Sequence, residues 1–428
     1  MGVDGRKVGW YLSQSIMFEF NKKNSITFIW YVMGVAFPMF VGLFKNTIFT
    51  RIFTAKEYGE YALVNITFSY ATIFFIAWIS GIVWRFYQRF KIRDELHVFY
   101  SNVFFLYTIS FFILLFFTIL YLFFQSEAIY IELIIYTFLF YISKEIVMLI
   151  GIILRLNQND KFYNIIKIVQ SLFGFGILFL LVFSLNFRIE SFFLSSFLID
   201  IVIIVFFIYK NHSIITFRFF SIQIHKEFLH FGGKSIIISL LLLAIVSSDR
   251  YIISYYDTIE HVGIYNQLYN FSELSIGAVI MVLYGFINPI LTVEFEKNLI
   301  KSDKLILKYF GMISLISIPI IVILSVFAKP ISAILFHESF AKYYYLIPFI
   351  LISSFLYGLV NLVEFRLKFE NKLNLIILFY VLCLLINVIA NFIFIPIFGF
   401  EFAAISTLIT YFVMFVLFYS SLKTTKTI

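Results

Sequence analysis

The chain has one cysteine, six histidines and few charges: only 13% of its 428 residues are Asp, Glu, Lys or Arg. A lone cysteine, Cys383, excludes a disulfide within the chain and any cysteine-based metal cluster. The histidines are His97, His212, His225, His230, His261 and His337. They fall in loops or at the ends of apolar runs, with no His-x-x-x-His or His-Glu-x-x-His spacing. Gly232-Gly233-Lys234 lacks the upstream glycine of a nucleotide loop and reads as the end of a cytoplasmic loop. No metal and no cofactor is therefore expected, and no soluble-enzyme chemistry is visible. The scarcity of charge also excludes a soluble domain, whose surface needs far more polar side chains.

What is present is apolar surface: 62% hydrophobic residues and 21% aromatic, with a mean hydropathy of +0.98. Unbroken apolar runs such as Phe111 to Phe124 exclude an outer-membrane barrel, whose strands alternate. The fold class expected is an all-α polytopic membrane protein. Twelve spans of about 20 residues can be read, near 27–47, 60–84, 99–124, 130–153, 164–185, 190–209, 235–256, 263–288, 306–328, 344–363, 375–395 and 402–422. The first 26 residues are polar and basic, with no cleavable signal, and Met17 is an alternative start. The domain organisation expected is a cytoplasmic segment 1–26, a six-helix lobe 27–209, a linker 210–234, a second six-helix lobe 235–422 and a tail 423–428.

The net charge of +8 has a membrane explanation. Arg85, Arg89, Lys91, Arg93, Arg155, Lys161, Lys167, Lys210, Arg366, Lys368 and Lys372 gather on one side. Lys45, Arg51, Lys56, Arg188, Arg250, Lys329 and Lys342 are all that hold or border the other. Lys and Arg favour cytoplasmic loops, so both termini are placed on the cytoplasmic side. His225 to Phe231 reads as an interfacial amphipathic stretch. Pro38, Pro289, Pro319 and Pro348 are expected to kink or end their spans.

One motif occurs twice. Glu57-Tyr58-Gly59-Glu60-Tyr61 follows the polar hinge Thr54-Ala55-Lys56, and His261-Val262-Gly263-Ile264-Tyr265 follows Asp257-Thr258-Ile259-Glu260. The copies lie roughly half a chain apart, each at the start of an apolar span. An even number of crossings separates them, so the halves point the same way, with a parallel pseudo-twofold repeat around a central cavity. That is a transporter architecture.

Mid-membrane charges cost about 2.5–3.5 kcal/mol each on insertion scales and need a partner or water. Lys144 and Glu145 lie in the fourth span, Asp200 in the sixth, Asp249 and Arg250 in the seventh and Glu273 in the eighth. They read either as internal salt bridges, Lys144 with Asp200 and Arg250 with Asp249 or Glu273, or as a cationic cavity. In the second reading Lys144 and Arg250, helped by Arg51 near the outer mouth, neutralise a diphosphate. Arginine suits that task because its planar fork donates two hydrogen bonds at once. Asp249, Glu273, Asp200 and Glu145 would tune those cations or carry a coupling proton. Asn266, Tyr269, Asn270, Asn387 and Asn391 are sugar-contact candidates, since amides bond hydroxyls and aromatic faces stack on sugar rings. The same side chains also suit plain interhelical hydrogen bonds.

On the segments Arg51 to Tyr61, Asp249-Arg250-Tyr251-Ile252-Ile253, Val262 to Tyr265 and Phe398 to Thr407, the chain resembles a polysaccharide flippase of the O-antigen translocase type. Such proteins belong to the multidrug/oligosaccharidyl-lipid/polysaccharide exporter superfamily. The resemblance implies two six-helix lobes around an often cationic cavity. It also implies a substrate, an undecaprenyl-diphosphate-linked sugar repeat moved to the outer leaflet, and makes Arg51 and Arg250 the leading phosphate candidates. Gly59 and Gly263 are expected to permit a tight helix entry. Partners implied are the lipid-linked oligosaccharide, membrane lipid, and a polysaccharide polymerase and glycosyltransferases; no nucleic acid is expected. Two rivals remain: a cation-coupled multidrug exporter of the same fold, and a membrane polysaccharide polymerase or ligase. The second would need a large external loop, and Lys329 to Tyr343 looks too short.

Overall fold

The computed structural model describes residues 22–125, 128–210, 221–297 and 299–423. Met17, residues 1–21, His212 and Lys426 lie outside the described residues, as do residues 211–220 of the linker. Among the described residues, twelve helices are long and apolar enough to cross a membrane. They are α1 (Ile29–Phe49), α2 (Ala55–Ile92), α3 (Leu96–Phe123), α4 (Tyr130–Leu156), α5 (Asp160–Leu185), α6 (Ser191–Lys210), α7 (Ile224–Tyr256), α8 (Ile259–Thr292), α9 (Asp303–Val326), α10 (Tyr344–Phe369), α11 (Leu373–Phe398) and α12 (Phe402–Leu422).

The two halves repeat their packing. Helix α1 packs on α5 as α7 packs on α11, α4 on α6 as α10 on α12, and α5 on α6 as α11 on α12. The lobes meet where α2 crosses α8, and at two flanking seams that exchange under the same operation, α1 with α8 and α7 with α2. The twelve expected spans and the parallel two-lobed repeat are thus both present.

Local chemistry explains where the repeated helices begin. Thr54 caps α2: its side chain accepts from Glu57 N, while the Glu57 carboxylate accepts from Thr54 N, a capping box. Thr258 caps α8 through His261 N. Five residues past each cap stands the motif glycine. A Cβ added to Gly59 would overlap the Ile259 carbonyl, and one added to Gly263 would overlap the Ala55 carbonyl and Gly59 N. The glycines therefore serve a close crossing of α2 over α8, backbone against backbone, rather than a tight entry into one helix. Tyr58 and Tyr265, on the two helices, are buried to 2% and 0% exposure.

Both repeated helices also carry a π-helical segment in mid-course, Ile73–Ala77 in α2 and Glu273–Gly277 in α8. Such segments break the i→i−4 ladder and mark places where a helix bends.

Three expectations need correction. The second half of the linker 210–234 is helix: Ile222–Tyr256 is continuous, with Lys226 and Glu227 exposed on one face. His225 and Phe228 are buried. The Phe228 ring packs 5.1 Å from Phe86 and 6.2 Å from Phe99 of the other lobe, and Arg89 forms a bidentate pair with Glu227. Gly232 lies inside this helix, where a Cβ would overlap the Trp78 ring, so it serves helix packing and not a loop end. The prolines divide as well. Pro38 and Pro319 sit inside helices, but the helix Ala278–Lys297 runs on past Pro289. Pro348 occupies the first turn of Ile347–Phe369, where its missing donor has no partner to lose.

On the side that the charge distribution places outside, Lys329 to Tyr343 folds into two short helices, Ala328–Leu335 and Glu338–Ala341. Phe340, fully buried, stands edge-on to Tyr58 at 5.6 Å. This segment covers the α2–α8 crossing.

Candidate functional site

The charged residues singled out from sequence sort into two environments. In the C-terminal lobe, Asp249 and Arg250 are 0% and 2% exposed. Arg250 Nη1 lies 2.7 Å from Asp249 Oδ1 and also donates to the Val246 carbonyl. Its guanidinium sits 4.8 Å from the Tyr265 ring centre and 4.3 Å from that of Tyr269, a geometry that favours a cation over the ring faces. Thr407 donates to the second Asp249 oxygen at 3.4 Å. In this conformation Arg250 is enclosed by its own lobe.

The amides of α11 continue the same network. Asn387 Oδ1 accepts from Ser248 at 3.1 Å and from Asn391 Nδ2 at 3.2 Å, and Asn387 Nδ2 donates to Thr410 at 3.3 Å. Ser406 donates to Asn391 Oδ1. Tyr269 shares a 3.2 Å hydrogen bond with Tyr411. Asn387, Asn391 and Tyr269 thus bind α7, α8, α11 and α12 together. Asn266 and Asn270, by contrast, are half-buried and make no side-chain hydrogen bond among the described residues. Glu273, one turn further along the same stripe of α8, is exposed.

In the N-terminal lobe, the pair expected between Lys144 and Asp200 is not formed. Asp200 is 3% exposed and accepts from Ser143 at 3.1 Å and from Gln170 at 2.7 Å. Lys144 makes no hydrogen bond or ion pair among the described residues and is exposed although it sits in mid-span. Its ammonium rests 4.6 Å from the Tyr141 ring centre and 5.6 Å from that of Phe140. Tyr141 is held by α2, donating to Asn65 Oδ1 at 2.9 Å. Glu145, the next residue, is turned into the lobe and is 4% exposed.

Lys167 belongs with this group, although by sequence it counts only among the cytoplasmic-side cations. Helix α5 begins at Asp160, which carries Lys167 two turns into the span, within electrostatic reach of Lys144 and Asp200. The signal was available: an early helix start places position 167 well inside. Arg51 is exposed just past the C-terminal end of α1, where Nη2 donates 2.8 Å to the Ile334 carbonyl of the other lobe. Thr50 accepts from His337 N nearby at 3.3 Å. In this conformation Arg51 acts as a latch between lobes.

An expected result follows for Arg250. Its removal leaves Asp249 buried with its strongest partner gone, at a cost of about 3–5 kcal/mol. Arg250→Ala should lower the thermal midpoint in detergent sharply, and Arg250→Lys, which keeps the charge, should lower it less. An unchanged midpoint for Arg250→Ala would show that Asp249 does not depend on it.

The fold is shared with known transporters. The chain aligns with "Lipid II flippase MurJ, inward closed conformation" at a TM-score of 0.70 and 17% identity, covering 92% of this chain and 87% of that one. It aligns with a mutant of the Vibrio cholerae MATE transporter VcmN at 0.60 and 13% identity, covering 94% and 99%. An outward-facing multidrug resistance MATE family transporter of the MOP superfamily matches at 0.61 and 14%, covering 94% and 96%. A search of curated proteins finds no match. A family model described as "Polysaccharide biosynthesis protein" matches residues 26–295, well over half of the chain, and the chain belongs to that family.

Proposed function

We propose that this protein translocates a polyprenyl-diphosphate-linked oligosaccharide repeat unit across the bacterial inner membrane by alternating access, for surface polysaccharide of the O-antigen or exopolysaccharide kind. The observation that carries the reading is Lys144: an exposed cation in mid-span that makes no ion pair among the described residues. A lysine held there uncompensated suits an anion that arrives and leaves. Lys167 lies on the way from the cytoplasmic end, so the two cations form successive stations for the diphosphate. Asn266 and Asn270, whose amides are unoccupied, are the sugar contacts of this reading. Asn387, Asn391 and Tyr269 hold the C-terminal lobe together, and Arg250 with Asp249 forms its charged core. Glu273 tunes the cavity from the opposite lobe. Both termini are cytoplasmic, and the physiological partners are the polymerase and glycosyltransferases that consume and build the repeat unit.

The test is complementation in a strain lacking its own repeat-unit flippase. Expression should restore surface polymer, and everted vesicles should expose the lipid-linked repeat on the far leaflet. Normal translocation of the repeat without this protein, or energy-dependent uptake of organic cations with no polymer phenotype, would refute it in favour of the polymerase or the drug exporter.

A further inference from the structure

We propose, on the basis of the flippase reading, that Arg155 and Lys167 form an entry site at the cytoplasmic mouth of the cavity, and that this site selects a lipid diphosphate over a lipid monophosphate. Both cations lean on one ring: the Arg155 guanidinium lies 5.4 Å and the Lys167 ammonium 5.9 Å from the centre of Tyr163. Arg155 is also 5.3 Å from the Trp84 ring of α2, so two aromatic residues hold it. Neither cation makes an ion pair or a side-chain hydrogen bond among the described residues. Like charges gathered on one ring repel each other, and ring contacts leave the guanidinium's planar fork free to donate.

The C-terminal lobe shows the same helix end with its charge answered. The turn from α4 to α5 matches the turn from α10 to α11 bond for bond. Gln158 N donates to the Arg155 carbonyl and Asn159 N to that of Leu154, as Asn371 N donates to the Lys368 carbonyl and Lys372 N to that of Leu367. Gln158 and Asn371 both stand at φ 58°. Arg155 therefore corresponds to Lys368, which pairs at 2.8 Å with Glu364, one turn earlier. One turn before Arg155 stands Gly151, where a Cβ would overlap the Tyr163 ring. Where the C-terminal lobe has a carboxylate, the N-terminal lobe has room for the ring that holds both cations.

Position makes this an entry. Arg155 lies in the last turn of α4 on the stripe that carries Met148 and Lys144, and all three are exposed. The helix from 144 to 155 rises about 16 Å, with Arg155 at its cytoplasmic end. Trp84, 44% exposed, sets the site at headgroup level, where tryptophan is favoured. Tyr31 of α1, within electrostatic reach of Arg155 and Tyr163, donates 3.0 Å to the Met281 carbonyl of α8, so the clamp stands beside a seam between the lobes. Two phosphoryl groups offer an anionic oxygen to each cation at once. The arginine fork takes one phosphate with paired hydrogen bonds and the lysine, a point charge, takes the next. A single phosphate answers one cation and leaves the other unmatched.

The experiment measures equilibrium binding of two probes to the purified full-length protein in detergent at pH 8: farnesyl diphosphate esterified to glucose, and farnesyl phosphate. Each carries about two negative charges there, so a preference reads the spacing of charge and not its amount. The wild-type protein should bind the diphosphate about tenfold or more tightly, the scale of one charge-assisted contact. Arg155→Gln and Lys167→Gln should each bind the two probes alike. Tyr163→Phe, which keeps the ring, should keep the preference, and Tyr163→Leu should lose it. Equal binding by the wild-type protein, or an undiminished preference in Arg155→Gln, would overturn the site. If the Arg155 variant fails to accumulate, Tyr163→Leu against Tyr163→Phe decides. Restored polymer in the complementation strain with the preference surviving in Arg155→Gln removes the entry site alone. Failure of both probes to bind, with no polymer restored, removes the flippase reading and the entry site together.

Discussion

Gly263→Ala should leave a protein that inserts and accumulates but no longer seals its outer side. The added methyl meets the carbonyl of Ala55 and the amide nitrogen of Gly59. Those are backbone atoms of a capped helix start, so they cannot swing away as a side chain would. Relief comes only by separating α2 from α8, which lie against each other at this point. Overpacking of this kind costs about 1–3 kcal/mol, which shifts an open-to-closed ratio about five- to 150-fold. A cysteine introduced at Asn266, just below the crossing, should then react with an impermeant thiol reagent added outside. The native Cys383 is fully buried and adds little background. Transport should fall by a similar factor, and Gly59→Ala should do the same through the Ile259 carbonyl. Wild-type transport with Asn266 still shielded would show that the crossing is not a gate.

Lys144 should separate stability from transport. Its ammonium sits in mid-span with no ion pair among the described residues, a burden of about 2.5–3.5 kcal/mol for a lysine at that depth. Lys144→Gln removes the burden, so thermal stability should hold or rise while surface polymer falls about tenfold or more, the scale of a lost charge-assisted contact. Lys144→Arg should keep partial transport. The double change Lys144→Asp with Asp200→Lys should fail, because Asp200 is engaged by Ser143 and Gln170 and has no bond to Lys144 to invert. Wild-type polymer from either Lys144→Gln or the double change would retire the substrate role.

Much of the architecture was legible because apolar run length is a local property of the chain. The repeated Gly-x-Tyr motif also disclosed the two-lobed symmetry. What escaped depends on partners distant in sequence. The helical start of α7 within the linker is fixed by Phe228 packing among Phe86, Phe90 and Phe99, more than a hundred residues away. Pro289 and Pro348 were read from residue type alone, although position within the helix decides whether a missing donor matters. The site followed the same rule. Lys144 and Arg250 look alike in sequence, each with an acidic neighbour. Tertiary packing encloses Arg250 between Tyr265 and Tyr269 and leaves Lys144 exposed.

The α2–α8 crossing has a geometry familiar from another setting. Each motif copy packs against the other copy: Gly59 faces Ile259 at the start of the second, and Gly263 faces Ala55 at the start of the first. That is an isologous contact, the kind formed when two identical subunits meet on a dyad. A single six-helix chain carrying Thr-x₄-Gly-x-Tyr would already have owned this interface as a homodimer, before any fusion joined the halves. Joining them freed each copy to diverge in its catches, Arg188 for Glu57 on one side and Asp257 for His261 on the other. It did not free the glycines, because the start of each copy fills the space that the other copy's glycine must leave empty.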